Sequence, residues 1–213
     1  MALVKDREID MNEERVFFGE GRMHLEGRFA TARGTRGAVI SHPHSLMGGD
    51  MWNPVVETIA QALFTAGIST LRFNFRGVGG SVGSFDEGRG EQEDFLSALS
   101  FLEDRGLKEI LPAGYSFGAW VTAGVLSHRA LAPALFVAPP MELFPFDLET
   151  LRGRVGLIVC GDCDPYCPAD GVRTMATALS CQLVFIPGSD HFFLSREAEL
   201  TECIGNFAQN GGI

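Results

Sequence analysis

The spacing of hydrophobic and polar positions changes several times along the chain, and each change marks the boundary of an expected element. Short apolar runs without alternation are typical of strands buried on both faces of a sheet, whereas apolar residues three and four apart indicate amphipathic helices. We expect strands at residues 16–18, 23–29, 37–41, 69–75, 110–114, 134–138, 155–160 and 183–186. We expect helices at residues 53–66, 91–104, 117–128, 169–179 and 197–207, with one further helical turn around Leu148.

The order of these elements predicts the fold class. The first two strands flank a turn at residues 19–21, which indicates an antiparallel hairpin, and strands and helices then alternate strictly. This order predicts an α/β fold with a mostly parallel central sheet of about eight strands and helices on both faces. The length of 213 residues and the hydrophobic content of 46% predict one domain at 1–213, with a loose polar lead-in at 1–13.

The corner between the fifth strand and the following helix carries the first chemical signal. Gly114, Ser116 and Gly118 form a G-x-S-x-G motif, and the hydrophobic period changes from strand to helix at the serine. A sharp corner of this kind needs small neighbours and leaves the serine hydroxyl at the edge of the sheet. A glycine-rich chain produces the motif by chance as well, so the nucleophile hypothesis requires an acid and a histidine further along.

An acid and a histidine follow, each in a loop after a buried strand. The loop after the seventh strand carries Asp162 and Asp164, and the loop after the eighth carries His191. Such loops gather at the carboxyl ends of parallel strands, beside Ser116. A serine nucleophile needs an imidazole to take its proton and a carboxylate to orient that imidazole. Asp164 is favoured over Asp162 because it lies further past the strand end, but both stay open.

Composition and charge narrow the classes of function. Seventeen Lys and Arg against 27 Asp and Glu give a formal net charge of −10, which disfavours nucleic acid and favours small-molecule partners. No apolar run has signal-peptide or membrane-span character, so we expect a cytoplasmic protein without a membrane partner. Cys160, Cys163 and Cys167 offer no clear fourth metal ligand, and five cysteines fit reduced thiols better than disulfides.

Five segments carry a resemblance to a known family, namely HPHSLMGG at 42–49, LRFNFRGVGGSVGSFDEGRGE at 71–91, GYSFG at 114–118, GDCDPYCP at 161–168 and GSDHFF at 188–193. Over residues 16–207 the chain resembles the α/β-hydrolase superfamily, and within it the small cap-free esterases similar to dienelactone hydrolase. The resemblance implies Ser116 as nucleophile, Asp164 as acid and His191 as base. Dienelactone hydrolases themselves have cysteine at the nucleophile position, so Ser116 argues against that particular substrate.

The resemblance also implies an oxyanion hole made of two backbone N–H groups. One belongs to Phe117, directly after the nucleophile. The second is expected from His44 or Ser45, because their loop occupies the place of the His-Gly-rich loop in related hydrolases. The side chains of His42 and His44 are expected to shape this loop rather than to act chemically.

The connection between the sixth and seventh strands bears on the substrate pocket. It is too short for a separate cap domain of packed helices, so we expect an open, shallow site that prefers short acyl chains. It is also more apolar than a solvated loop requires. We expect its four large apolar side chains to line the acyl side of the pocket, with core packing as the alternative: Met141, Leu143, Phe144 and Phe146.

The expected function is therefore a serine hydrolase, a carboxylesterase or thioesterase, that cleaves a small ester or thioester by Ser-His-Asp acyl transfer. No cofactor and no metal are expected. A catalytically inactive binding or scaffold protein with the same fold is the main alternative, since fold does not determine function. A metal-dependent enzyme built on the cysteines is a third hypothesis, and a homodimer is left open.

Overall fold

The computed structural model describes residues 11–19, 21, 24–129 and 131–210. The strands are β1 (Glu14–Phe18), β2 (Leu25–Ala30), β3 (Arg36–Ser41), β4 (Ser69–Phe73), β5 (Glu109–Tyr115), β6 (Ala134–Val137), β7 (Val155–Gly161) and β8 (Gln182–Ile186). The helices are α1 (Pro54–Thr65), α2 (Arg89–Asp104), α3 (Phe117–Leu126), α4 (Leu148–Leu151), α5 (Ala169–Leu179) and α6 (Glu197–Gln209), with a short 3-10 helix at Ser45–Met47. Three expectations lie outside the described residues: the lead-in at 1–10, the turn residue 20 and the strand start at 23.

The eight strands form one sheet in the order β1-β2-β4-β3-β5-β6-β7-β8. The pairs β1-β2 and β2-β4 are antiparallel, and every other neighbouring pair is parallel. Buried side chains of α1, α5 and α6 belong to one apolar core, and those of α2 belong to a second that includes the hairpin. The mostly parallel sheet with helices on both faces and an N-terminal antiparallel hairpin is thereby confirmed.

Most element boundaries differ from expectation by one or two residues, and in two cases a side-chain hydrogen bond accounts for the difference. β4 ends at Phe73 rather than at residue 75, since the N–H of Phe75 donates to the ring of His42 and not to a neighbouring strand. α2 begins at Arg89 rather than at residue 91. The carboxylate of Glu91 accepts the N–H of Gly88, so the capping interaction extends the first turn.

The connection between β6 and β7 contains one helix, α4, which is four residues long. All residues of this connection are described, and no domain is inserted in it. No domain inserted in this connection therefore covers the carboxyl ends of β5, β7 and β8. None of the helices in the described part of the chain has the length and apolar character needed to cross a membrane.

Candidate active site

The corner at Ser116 is strained and held in place by its own backbone. Ser116 has φ 55° and ψ −123°, a conformation that L-residues adopt only where surrounding contacts impose it. Its N–H donates to the carbonyl of Val137 in β6 at 2.9 Å, and its carbonyl accepts the N–H of Ala119 at 2.9 Å. β5 therefore turns into α3 at a single residue, whose hydroxyl stands above the strand ends.

The two glycines of the motif allow backbone segments to approach closely around this corner. A Cβ atom added to Gly114 would lie 2.5 Å from the carbonyl oxygen of Gly118. One added to Gly118 would lie 2.5 Å from the carbonyl oxygen of Ser41, at the end of β3. Real Cβ atoms do not approach backbone atoms so closely, so each glycine is required by packing and not only by the turn.

The structure brings Ser116, His191 and Asp164 into one hydrogen-bonded chain. Ser116 Oγ lies 2.9 Å from His191 Nε2, and His191 Nδ1 lies 2.7 Å from Asp164 Oδ2. Asp164 and His191 are both buried, whereas Ser116 is half-buried and faces a cavity. The second carboxylate oxygen of Asp164 accepts the N–H of Tyr166 at 2.8 Å, which fixes the carboxylate toward the imidazole.

The two aspartates that sequence left open take different positions. Asp164 contacts His191, while Asp162 is exposed and its Oδ1 accepts the N–H of Gly188 at 2.6 Å. Asp162 thus ties the loop after β7 to the loop after β8. Of the two aspartates, Asp164 is the one whose carboxylate accepts the hydrogen bond of His191 Nδ1.

The loop bearing His191 is fixed from two sides. The hydroxyl of Tyr115, the residue before Ser116, donates to the backbone carbonyl of His191 at 3.0 Å. A Cβ atom on Gly161 at the end of β7 would lie 2.2 Å from the carbonyl oxygen of Ser189, so the two loops pack backbone against backbone. The imidazole position follows from these contacts.

The environment of His191 favours its protonated form. Burial alone would lower the pKa of the imidazole, but the hydrogen bond that the imidazole donates to Asp164 and the negative charge of that carboxylate outweigh burial. The pKa of His191 is therefore raised above its ordinary value of 6.5. An imidazolium that forms between Ser116 and Asp164 is stabilised by the same contacts.

The loop after β3 is shaped by a neutral histidine. His42 Nε2 accepts the N–H of Phe75 at 3.0 Å, and its Nδ1 lies 2.6 Å from the carbonyl oxygen of Pro43. These partners assign the proton to Nδ1. Complete burial lowers the pKa of His42 to about 4, so its ring stays uncharged at neutral pH. His42 joins the ends of β3 and β4, a structural role.

The expected oxyanion-hole residues occupy different places. Phe117 is the first residue of α3, whose initial N–H groups have no carbonyl partner within the helix. His44 lines the cavity beside Ser116, and its ring lies 4.8 Å from that of Phe117. Ser45 opens the 3-10 helix and is not part of the described cavity wall, and its Oγ is buried without a hydrogen-bond partner.

A cavity of about 530 Å³ opens above Ser116, a volume typical of small-molecule sites. Leu143 and Phe144 line it, as expected. Met141 and Phe146 do not, and the expectation is wrong for these two. Met141 and Phe146 instead pack against the main core, where the ring of Phe146 contacts that of Phe136.

Sequence reasoning missed several cavity-lining residues that lie beside the predicted ones. These are Met47, Asn53, Tyr115, Tyr166 and Phe192. Tyr115 ends β5, Asn53 caps α1, and the other three lie in the loops after β3, β7 and β8 that also carry predicted site residues. The position of these loops at one edge of the sheet was the signal that could have identified them.

The cysteines do not form a common cluster in the described part of the chain. Cys163 is exposed, whereas Cys160 and Cys167 are buried. Cys167 lies close enough to Asp164 and His191 for three-ligand geometry, but both of these side chains are engaged with one another. The Cys167 thiol donates to the carbonyl of Pro139 at 2.9 Å.

Comparison with known proteins places this geometry in context. No protein-family model matches the sequence. An uncharacterized protein of Rickettsia prowazekii is 34% identical over 208 residues, covering 91% of this chain and 87% of that protein. The solved structure of an α/β serine hydrolase homologue from Coxiella burnetii is 36% identical with a TM-score of 0.83, covering 91% of this chain and 96% of that one. An α/β serine hydrolase without a lid from Xanthomonas campestris is 27% identical with a TM-score of 0.83, covering 96% and 97%.

Proposed function

The chain belongs to the α/β-hydrolase superfamily, and from this we propose that it is a serine hydrolase that cleaves a small, uncharged ester or thioester by acyl transfer. The nucleophile is Ser116, the general base is His191 and the orienting acid is Asp164. The observation that carries the proposal is the continuous hydrogen-bonded chain through these three residues, which opens on a cavity.

In the first half of the reaction, His191 Nε2 takes the proton of Ser116 Oγ as the oxygen attacks the substrate carbonyl. Asp164 stabilises the resulting imidazolium, in line with the raised pKa of His191. Collapse of the tetrahedral intermediate breaks the bond to the leaving group, which receives the proton from Nε2. Water then attacks the acyl-enzyme by the same proton transfers in reverse, and Ser116 is regenerated.

The oxyanion of the tetrahedral intermediate needs donors that are already in place before the reaction. The N–H of Phe117 is one, because it opens α3 and the positive end of the helix dipole faces the same point. The backbone N–H of His44 is our choice for the second, since His44 and not Ser45 lines the cavity. Pro43, the other lining residue of this loop, has no N–H to donate.

The cavity supports an uncharged substrate. None of the described residues that line it is Lys, Arg, Asp or Glu. A carboxylate or phosphate on the substrate would lose its hydration there and meet no lysine or arginine, and the imidazole of His191 is already paired with Asp164, so burying the anion is costly. The aromatic rings of Phe117, Phe144 and Tyr166 instead offer apolar contact to an acyl chain or a leaving group.

Covalent labelling tests the proposal directly. A fluorophosphonate should add one phosphonyl group to the purified protein, and peptide mapping by mass spectrometry should locate it on Ser116. The Ser116→Ala variant should remain unlabelled and should not hydrolyse p-nitrophenyl acetate. A folded protein that neither labels nor hydrolyses any ester would favour the inactive scaffold, and loss of activity on treatment with a chelator would favour the metal hypothesis.

A further inference from the structure

The mouth of the cavity carries large apolar side chains that the described part of the chain leaves exposed. Among the described residues, the five most exposed large apolar side chains are Leu46, Met47, Leu143, Phe192 and Leu194, which we call the apolar rim. They are 57% to 80% exposed, whereas the other exposed large apolar side chains reach 50% at most. Met47, Leu143 and Phe192 line the cavity directly, and Leu46 and Leu194 lie within two positions of Met47 and Phe192 in the sequence.

The loop after β8 keeps two rim residues outward at a conformational cost. Phe193 is fully buried, and its φ of 54° turns the chain so that Phe192 and Leu194 on either side point to solvent. Ser195 also has a positive φ, of 58°. Such conformations cost free energy in L-residues and persist only where packing imposes them. The exposure of Phe192 and Leu194 is therefore imposed by the packing of Phe193 and by the backbone conformation of the loop.

Charge determines what kind of surface the rim can meet. Each of the three rim loops carries a carboxylate, namely Asp50, Glu142 and Asp190, and the guanidinium of Arg196 is paired with Glu199. The whole chain has a formal charge of −10. An anionic surface would be repelled, and an uncharged or zwitterionic one would not.

We propose that the apolar rim docks the protein on an electrically neutral lipid surface, from which ester substrate enters the cavity. Whatever covers the rim also covers the entrance, so turnover continues only if the covering surface itself supplies substrate. A second copy of the chain would instead close both entrances. Large apolar side chains that are exposed at a cavity mouth are typical of interaction sites in proteins that are otherwise polar outside.

Vesicle flotation tests the docking independently of hydrolysis. The Ser116→Ala variant should float with phosphatidylcholine vesicles, and less well when phosphatidylglycerol is added. In the Ser116→Ala background, the further substitutions Leu46→Gln and Leu194→Gln should weaken binding to the vesicles about tenfold or more, because two leucines inserted into lipid contribute strongly to the binding free energy. Both residues lie outside the cavity wall. Leu96→Gln, an exposed leucine on α2, is the matched control and should change nothing. Absent flotation, tighter binding to the anionic vesicles, or an unchanged double variant would each overturn the proposal.

The hydrolysis measurement rests on the proposed function. With Ser116 intact, the Leu46→Gln/Leu194→Gln variant should lose about tenfold in rate on emulsified tributyrin and keep its rate on dissolved p-nitrophenyl acetate. Equal loss on both substrates would contradict docking, as would a wild-type dimer that the double variant dissociates. If wild-type protein hydrolyses neither substrate, the proposed function fails while flotation still decides the role of the rim.

Discussion

The floor and the wall of the cavity are built on different principles. The floor holds Ser116, His191 and Asp164 by backbone hydrogen bonds and by glycines that let strand ends approach within contact distance. The wall consists of apolar side chains from separate loops, among them Phe144 and Phe192, held by ring contacts. Variation in the floor should therefore change the rate for every substrate, and variation in the wall should change which substrate is preferred.

The largest effect is expected at Ser116. Ser116→Ala should lower kcat by about 10⁵- to 10⁶-fold, the scale at which loss of a serine nucleophile acts in other hydrolases. The thermal unfolding midpoint should stay close to that of wild type, because alanine leaves the backbone of the corner unchanged. Kinetics on p-nitrophenyl acetate and a thermal melt provide the two measurements. Wild-type turnover in the purified variant would show that Ser116 is not the nucleophile.

The two aspartates of the loop after β7 form a matched pair. Asp164→Asn should lower kcat by about 10³- to 10⁴-fold, because the imidazole loses its tautomer and the stabilisation of its cation. Asp162→Asn should cost less than about tenfold, since the amide oxygen of asparagine still accepts the N–H of Gly188 and the residue does not contact His191. Steady-state kinetics of both variants on one ester decides between them. A greater loss in Asp162→Asn would mean that the acid has been misassigned.

The raised pKa of His191 predicts the direction of the pH dependence. His191 accepts a proton only in its neutral form, and a raised pKa means that this form is reached at higher pH. We expect kcat/KM to rise about tenfold per pH unit below the pKa of His191 and to level off above it. The midpoint of this transition should lie above pH 6.5. In Asp164→Asn the midpoint of the residual activity should fall. A wild-type midpoint below the ordinary histidine value would contradict the arrangement.

The wall can be probed with two phenylalanines of one loop. Phe144 stacks on Trp120 at 4.7 Å and lines the cavity, so Phe144→Ala should open room for two or three methylenes. At about 0.8 kcal/mol each, this should raise the octanoate-to-butyrate ratio of kcat/KM by roughly tenfold or more. The control, Phe146→Ala, should lower stability and leave the ratio unchanged, because Phe146 packs on Phe136.

The wild-type chain-length profile tests the same wall. We expect the kcat/KM of p-nitrophenyl esters to be highest for short acyl chains, because the short connection between β6 and β7 leaves the site open and shallow. An optimum at about twelve carbons or longer would contradict this expectation, since such a chain needs far more apolar surface than a small cavity offers.

The smallest effect is expected at Tyr115, which holds the floor without touching the reacting atoms. Tyr115→Phe removes the hydrogen bond to the carbonyl of His191, which is worth about 1 kcal/mol, and should lower kcat roughly fivefold. KM should not change, because the hydroxyl that is removed contacts the carbonyl of His191 and the ring that lines the cavity is kept. A change in KM alone would assign Tyr115 to the wall.

The local pattern of the sequence was sufficient for the elements and for two of the three floor residues, Ser116 and His191. All eight strands and the order of the helices follow from periodicity, which depends only on near neighbours. Ser116 and His191 were identified because a strand-to-helix corner and a strand-end loop are short-range signals. Boundaries such as the end of β4 were less accurate, because a hydrogen bond to His42 ends the strand.

Only the tertiary structure decided the choice between Asp162 and Asp164 and the composition of the wall. Ser116 and His191 lie 75 positions apart in the chain, and the 2.9 Å distance between Ser116 Oγ and His191 Nε2 depends on the positions of β5 and β8 in the sheet. It also depends on Gly161 and Gly118, which allow the neighbouring backbone segments to approach closely. The direction of each side chain in the β6–β7 connection likewise depends on core packing. Sequence periodicity reports which residues are apolar, whereas packing determines whether Phe144 or Phe146 meets the substrate, because both satisfy the same local pattern.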